Sequence, residues 1–124
     1  MGIIKIDEFE KHLVIHLEGD FVSNEDINTL RSTFKTLSEK ENNFAIVDLE
    51  KTNFLSSASL GVLLSSNAMF ERNNGKIVLA SPNDYIRNLF KITKLDLIFD
   101  IFPNFKEAEI KLDEYRKEKE NKKR

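Results

Sequence analysis

Asn53-Phe54-Leu55-Ser56-Ser57-Ala58-Ser59-Leu60-Gly61-Val62-Leu63-Leu64 follows a nearly unbroken apolar run, Phe44-Ala45-Ile46-Val47-Asp48-Leu49, and the passage from one to the other decides the fold. An apolar run of strand length is what a strand covered on both faces presents, because neither face meets water. It should lie centrally in a sheet. After a link over residues 50–56 the pattern changes period, and a helix is expected from near Ser57 to Arg72. Asn73-Asn74-Gly75 stops it, with the glycine free to take the left-handed cap. Residues 76–80 then read as a second buried strand. Strand, helix, strand is the repeating unit of an α/β sheet.

The same reading extends outward in both directions. Residues 3–6 and 13–17 are short β-type runs, the second with Leu13, Ile15 and Leu17 on one face and His12, Val14 and His16 on the other. Ser23 stands where an N-cap belongs, Asp26 adds favourable charge to the first turn, and Ile27, Leu30, Phe34 and Leu37 recur at helical spacing. Beyond the central strands, Ser81-Pro82-Asn83-Asp84 offers a capping hydroxyl, a first-turn proline and an acidic third residue. That opens a helix carrying Ile86, Leu89 and Phe90 to near Thr93. Residues 97–101 read as the last strand, and a final helix from Asn104 can bury Phe105, Ala108, Leu112 and Tyr115. The order β-β-α-β-α-β-α-β-α predicts a mixed sheet of about five strands with four packed helices, its parallel crossovers right-handed.

With 124 residues, 40% of them hydrophobic and ten of them Phe, the chain can fill one core, and 32% charged residues give it a solvated surface. Cysteine is absent, which removes disulfides, thiolate metal sites and cysteine nucleophiles together and fits a reducing compartment, so a cytoplasmic location is expected. An acidic pair, Asp7-Glu8, comes too early for an export leader, and Leu60 to Leu64 is followed at once by Ser65-Ser66-Asn67, so no membrane span is expected. A net charge of -2 without basic stripes argues against nucleic acid as a partner. Phe54, Phe70, Phe90 and Phe99 fall within apolar patterns and are assigned to the core. His12 and His16 are read as solvent-facing, and no metal or other cofactor is expected.

The serines carry the functional reading. The first turn of a helix leaves backbone N–H groups unpaired and carries partial positive charge. A serine there either caps the helix or, once phosphorylated, holds its phosphate in a favourable field. On position alone Ser57 reads as an N-cap. It has no Ser-His-Asp or Ser-Lys context, and neither GxxxxGK[ST] nor GxGxxG is present, so catalytic machinery and a phosphate cradle are both lacking.

Leu55-Ser56-Ser57-Ala58-Ser59-Leu60-Gly61 resembles the signature of the STAS family, in which a buried strand leads to I-D-S-S-G-L-G and a helix. Residues 81–99, Ser81-Pro82-Asn83-Asp84-Tyr85-Ile86-Arg87 through Thr93-Lys94-Leu95-Asp96-Leu97-Ile98-Phe99, are similar to the same family's S-P-x-x-x-R-x-L-x-L-T-G-L-D-x-x-F. The likeness spans residues 3–115 and includes the strand-Gly19-helix pattern. It implies a STAS domain over residues 1–116, followed by a charged helix end or tail over 117–124.

The resemblance also implies a function. In anti-sigma-factor antagonists of this family the hydroxyl after the signature Asp is the phosphoacceptor, a place filled here by Ser57, with Ser56 and Ser59 as alternatives. Ser56 replaces the Asp, Ala58 the second hydroxyl, Ser59 the following Gly, and Lys94 the Gly before the last strand. The acidic position that family members often carry after Gly19 falls on Val22, with Asp20 nearby. Ser56, Ser57, Ala58, Ser59 and Gly61 are the expected partner-binding residues, and Gly61 is expected to sit where backbone packs closely against a neighbour. The implied partner is an anti-sigma factor with serine kinase activity, opposed by a PP2C-type phosphatase. Two other readings remain: a STAS scaffold subunit of a larger sensory assembly, in which Ser57 is only a cap, and a small nucleotide-binding or hydrolysing domain.

Overall fold

The computed structural model describes residues 1–122. Its sheet is organised around β2 (Leu13–Phe21), whose Leu13, Ile15 and Leu17 are buried on one face as their alternation requires. β1 (Gly2–Glu8) pairs antiparallel with β2 at one edge, Gly2 opposite Gly19 and Glu8 opposite Leu13. On its other side β2 has two parallel neighbours in succession: β3 (Phe44–Asp48) and then β4 (Thr52–Leu55). β5 (Lys76–Ala80) lies parallel to β3, and β6 (Ile101–Phe102) parallel to β5. The order is thus β1-β2-β3-β5-β6, with β4 also beside β2. The helices are α1 (Asn24–Ser38), α2 (Ser57–Arg72), α3 (Asp84–Ile92) and α4 (Phe105–Lys122).

The central strands are covered on both faces, as their continuous apolar runs predict. Ala45 and Val47 of β3 and Ile77 and Leu79 of β5 turn toward Leu30 and Phe34 of α1, Leu63 and Phe70 of α2, and Ile86 and Phe90 of α3. Phe44, Ile46, Val78 and Ala80, one residue out of step, turn the other way and are covered by Ala108 and Leu112 of α4. Each fully buried large side chain contributes about 1.5–3 kcal/mol relative to exposure. Phe34 and Phe70 join α1 to α2 edge to face, centroids 6.2 Å apart.

Ser23 caps α1 as expected, its Oγ accepting from the Asp26 N–H at 3.0 Å, and the buried Asp26 carboxylate in turn accepts from the Gly2 N–H at 3.1 Å. That second bond ties the start of β1 to the helix. Asn104 opens α4 in the same manner, accepting from the Glu107 N–H at 2.9 Å.

Four expectations are corrected. The link at 50–56 contains a strand, β4, which continues the line of β3 along β2 and so raises the strands to six among the described residues. The cap of α3 is Asn83, whose Oδ1 accepts from the Ile86 N–H at 2.8 Å; Ser81 instead takes φ 59 as the chain leaves the sheet. At the end of α2, Asn74 is the left-handed residue (φ 65), while Gly75 is needed for space, since a Cβ there would overlap the Asn43 carbonyl oxygen. The last strand is not at 97–101. Lys94 turns the chain (φ 61) into a 3-10 turn over Leu95–Leu97, leaving Leu97 81% exposed, and pairing with β5 forms only at Ile101–Phe102.

The C-terminal helix runs without a break from Phe105 to Lys122, so residues 117–122 continue α4; positions 123–124 of the charged end lie outside the described residues. Lys119 Nζ donates to the Gly75 carbonyl at 3.1 Å and the Tyr115 hydroxyl to Asp100 at 2.8 Å, pinning α4 to the sheet. Among the described residues no helix is long and apolar enough to cross a membrane.

Candidate functional site

β2 and β4 run parallel and end together, Asp20 opposite Phe54 and Phe21 opposite Leu55, and the Ser56 N–H extends this ladder by donating to the Phe21 carbonyl at 3.3 Å. The chain then enters α2 at once. The serine segment therefore stands at the carboxyl ends of parallel strands, the side of an α/β sheet where loops are free to bind.

The three serines have different environments. Ser56 is the N-cap, with extended backbone (φ -78, ψ 168), and its Oγ accepts from the Ser59 N–H at 3.2 Å. Ser59 is fully buried, and its hydroxyl donates to the Ser56 carbonyl at 2.9 Å. Ser57 is the first helical residue and is exposed. The expectation that Ser57 is the cap is thus corrected by one position: the residue that replaces the signature Asp takes the capping role, because its extended backbone aims Oγ back at the N–H three residues on.

Downstream, Leu60, Val62 and Leu63 are buried, whereas Ala58, Gly61, Leu64 and Ser65 are exposed, so α2 turns a face of mostly small side chains to solvent. Gly61 belongs to that face. Outside its own turns of helix, no atom of the described residues lies within 4 Å of where its Cβ would be, which overturns the expected close packing within the chain. The first turn of α2 carries no acidic residue, while α1 has Glu25 and Asp26, α3 Asp84 and α4 Glu107. The partial positive charge at the start of α2 is left uncompensated by its own side chains.

Two aromatics beside this turn were missed. Phe54, assigned to the core from its apolar neighbours, is 38% exposed and stacks on Tyr85, itself 49% exposed, with centroids 5.8 Å apart. Phe70, Phe90 and Phe99 are buried as expected. Asn83 holds the pair together by donating from Nδ2 to the Thr52 carbonyl at 3.0 Å, which fixes the start of α3 against β4. The signal was available in α3, where Ile86 and Phe90 face inward and Tyr85 falls one residue outside their stripe. Val22 is exposed just past β2, and Asp20 is exposed at its end.

The histidines do not behave as read. His12 precedes β2 and stacks on Phe9 at 4.7 Å, while His16 is half-buried between two carboxylates, Asp7 and Asp48, rather than facing solvent.

A family model described as STAS domain matches residues 4–108. Among solved structures, the fold is similar to the anti-sigma factor antagonist SpoIIAA in its unphosphorylated form (TM-score 0.68, 18% identity, 88% of this chain and 96% of that one). It is similar also to the phosphorylated form of SpoIIAA, a Bacillus cell fate determinant (TM-score 0.68, 19% identity, 89% and 99%). An anti-sigma factor antagonist from Mycobacterium paratuberculosis aligns with TM-score 0.80 at 16% identity, over 91% of this chain and 95% of that one. At such identities the likeness is one of fold.

Proposed function

The chain belongs to the STAS domain family, and from that premise we propose that it is an anti-sigma-factor antagonist, a protein-binding switch rather than an enzyme. Unphosphorylated, it docks an anti-sigma factor with serine kinase activity through the start and exposed face of α2 and so frees a sigma factor in the cytoplasm. The kinase phosphorylates Ser57 and ends the interaction; a PP2C-type phosphatase restores it.

The observation that carries this reading is the division of labour among the serines. Ser56 caps α2, Ser59 is buried with its hydroxyl bonded back to the Ser56 carbonyl, and Ser57 is the exposed hydroxyl at the first helical position. A phosphate there gains from the helix N-terminus without removing the cap, so the fold survives modification. On the partner's side the same group adds about -1.5 to -2 charge and a hydration shell to a surface of small and apolar groups, where unpaired charge is costly. Gly61, Ala58 and the Phe54–Tyr85 stack supply a close-approach face and an aromatic anchor beside it.

Affinity capture from source cells with immobilised wild type, Ser57→Ala and Ser57→Asp tests the proposal. Wild type and Ser57→Ala should retain the same kinase-bearing anti-sigma factor, and Ser57→Asp should lose most of it while keeping a native melting curve. Equal retention by all three would contradict the switch.

A further inference from the structure

We propose that His16 is a proton-operated staple that fastens the edge strand β1 to β3 across the sheet face that α4 leaves open. His16 lies on β2 between the two strands. Its Nδ1 is 2.8 Å from Asp48 Oδ2 on β3, and its Nε2 is 2.9 Å from Asp7 Oδ2 on β1. Both ring nitrogens thus face carboxylate oxygens, which accept and do not donate when ionised. A neutral imidazole has one N–H and can serve one of them; only the imidazolium serves both. The three-strand bridge is therefore the charged state of His16.

The surroundings decide which bond fails on deprotonation. Lys5 and Asp7 face His16 from β1, Glu18 from its own strand, Asp48 from β3, and Glu50 and Lys51 from the turn after β3. Lys5 is paired with Glu18 at 3.4 Å. The second oxygen of Asp48 accepts from the Glu50 N–H at 3.0 Å, so Asp48 is held in place, whereas the side chain of Asp7 is 62% exposed and can turn to water. A neutral His16 keeps Asp48 and releases Asp7. β1, which among the described residues has no strand beyond it, loses its side-chain tie to β3.

Burial of the ring opposes its charge, but the hydrogen bonds to Asp7 and Asp48 and their charges outweigh it, and the pKa of His16 lies above its ordinary 6.5. A raised folded-state pKa means that the stabilisation is fully present below 6.5 and is lost as pH rises through the folded value. The N-terminal edge of the sheet thereby becomes sensitive to pH above 6.5.

The test is an NMR titration of the His16 ring in the wild type, Asp7→Asn and Asp48→Asn, with melting temperatures of wild type and His16→Gln over the same pH range. In the wild type His16 should titrate above 6.5, and lower in each Asp variant. His16→Gln should melt below wild type in acid, with the gap closing as pH rises. A wild-type His16 titrating at or below 6.5, a pKa unmoved by Asp7→Asn, or a pH-independent melting gap would each overturn the staple.

Discussion

Lys94 holds a left-handed backbone, φ 61, at the place where the family signature has glycine. A side chain there meets the following carbonyl and costs about 1–2 kcal/mol, offset in part by the smaller entropy of an unfolded lysine. Lys94→Gly should therefore raise stability by roughly 0.5–1 kcal/mol, read as a higher denaturant midpoint at unchanged slope; a lower midpoint would show that the lysine side chain stabilises this turn. The departure was visible in the sequence, but its backbone consequence was not. The serines behave alike in this respect. Three hydroxyls within four positions can be counted from residues 56–59, but which of them caps depends on where the strand ends. Ser56 still belongs to the β2–β4 ladder, a pairing the sequence did not reveal.

At the scale of elements, legibility followed burial on two faces. β3 and β5 were read correctly because each is apolar at consecutive positions, and α1 because its cap and its inward stripe agree. β4 was missed because Asn53 and Phe54 are both exposed, so its four residues carry no alternation. The last strand was misplaced because Leu97 and Ile98 are apolar yet exposed, and hydropathy alone makes them look buried. Gly61 is the clearest case of an element whose sequence and packing disagree. It lies inside α2 with open space where a Cβ would stand, so Gly61→Ala should stabilise the isolated domain by about 1 kcal/mol. If the exposed face of α2 is the docking face, the added methyl should also weaken partner binding. Thermal melting and a binding isotherm on the same variant separate the two: a more stable domain with unchanged affinity would move the docking face off Gly61.

At the scale of the whole molecule, α4 closes one side of the sheet over β3 and β5 with Ala108 and Leu112, while α1, α2 and α3 close the other. We place the domain boundary after Arg116. A chain of residues 1–116 keeps Ala108, Leu112 and Tyr115 but loses the Lys119 bond to the Gly75 carbonyl, the approach of Lys119 to the Phe44 ring and the Arg116–Glu120 pair, so it should fold as before and be less stable by at least roughly 0.5–1.5 kcal/mol. Loss of cooperative melting in 1–116 would extend the domain to the end of the helix. The architecture sets the serine turn on one end of the sheet, at the carboxyl ends of β2 and β4, so that a phosphate there changes the surface offered to a partner and not the core beneath it. That claim is tested most directly by incubating the domain with the captured anti-sigma factor and ATP, mapping the modified residue by fragmentation mass spectrometry, and measuring the affinity of the modified domain for the same partner. Expected are a single phosphate on Ser57, native melting, and affinity reduced at least tenfold, equivalent to about 1.4 kcal/mol. Phosphate on Ser56 or Ser59 alone, or a Ser57-phosphorylated domain that binds as tightly as the unmodified one, would contradict it.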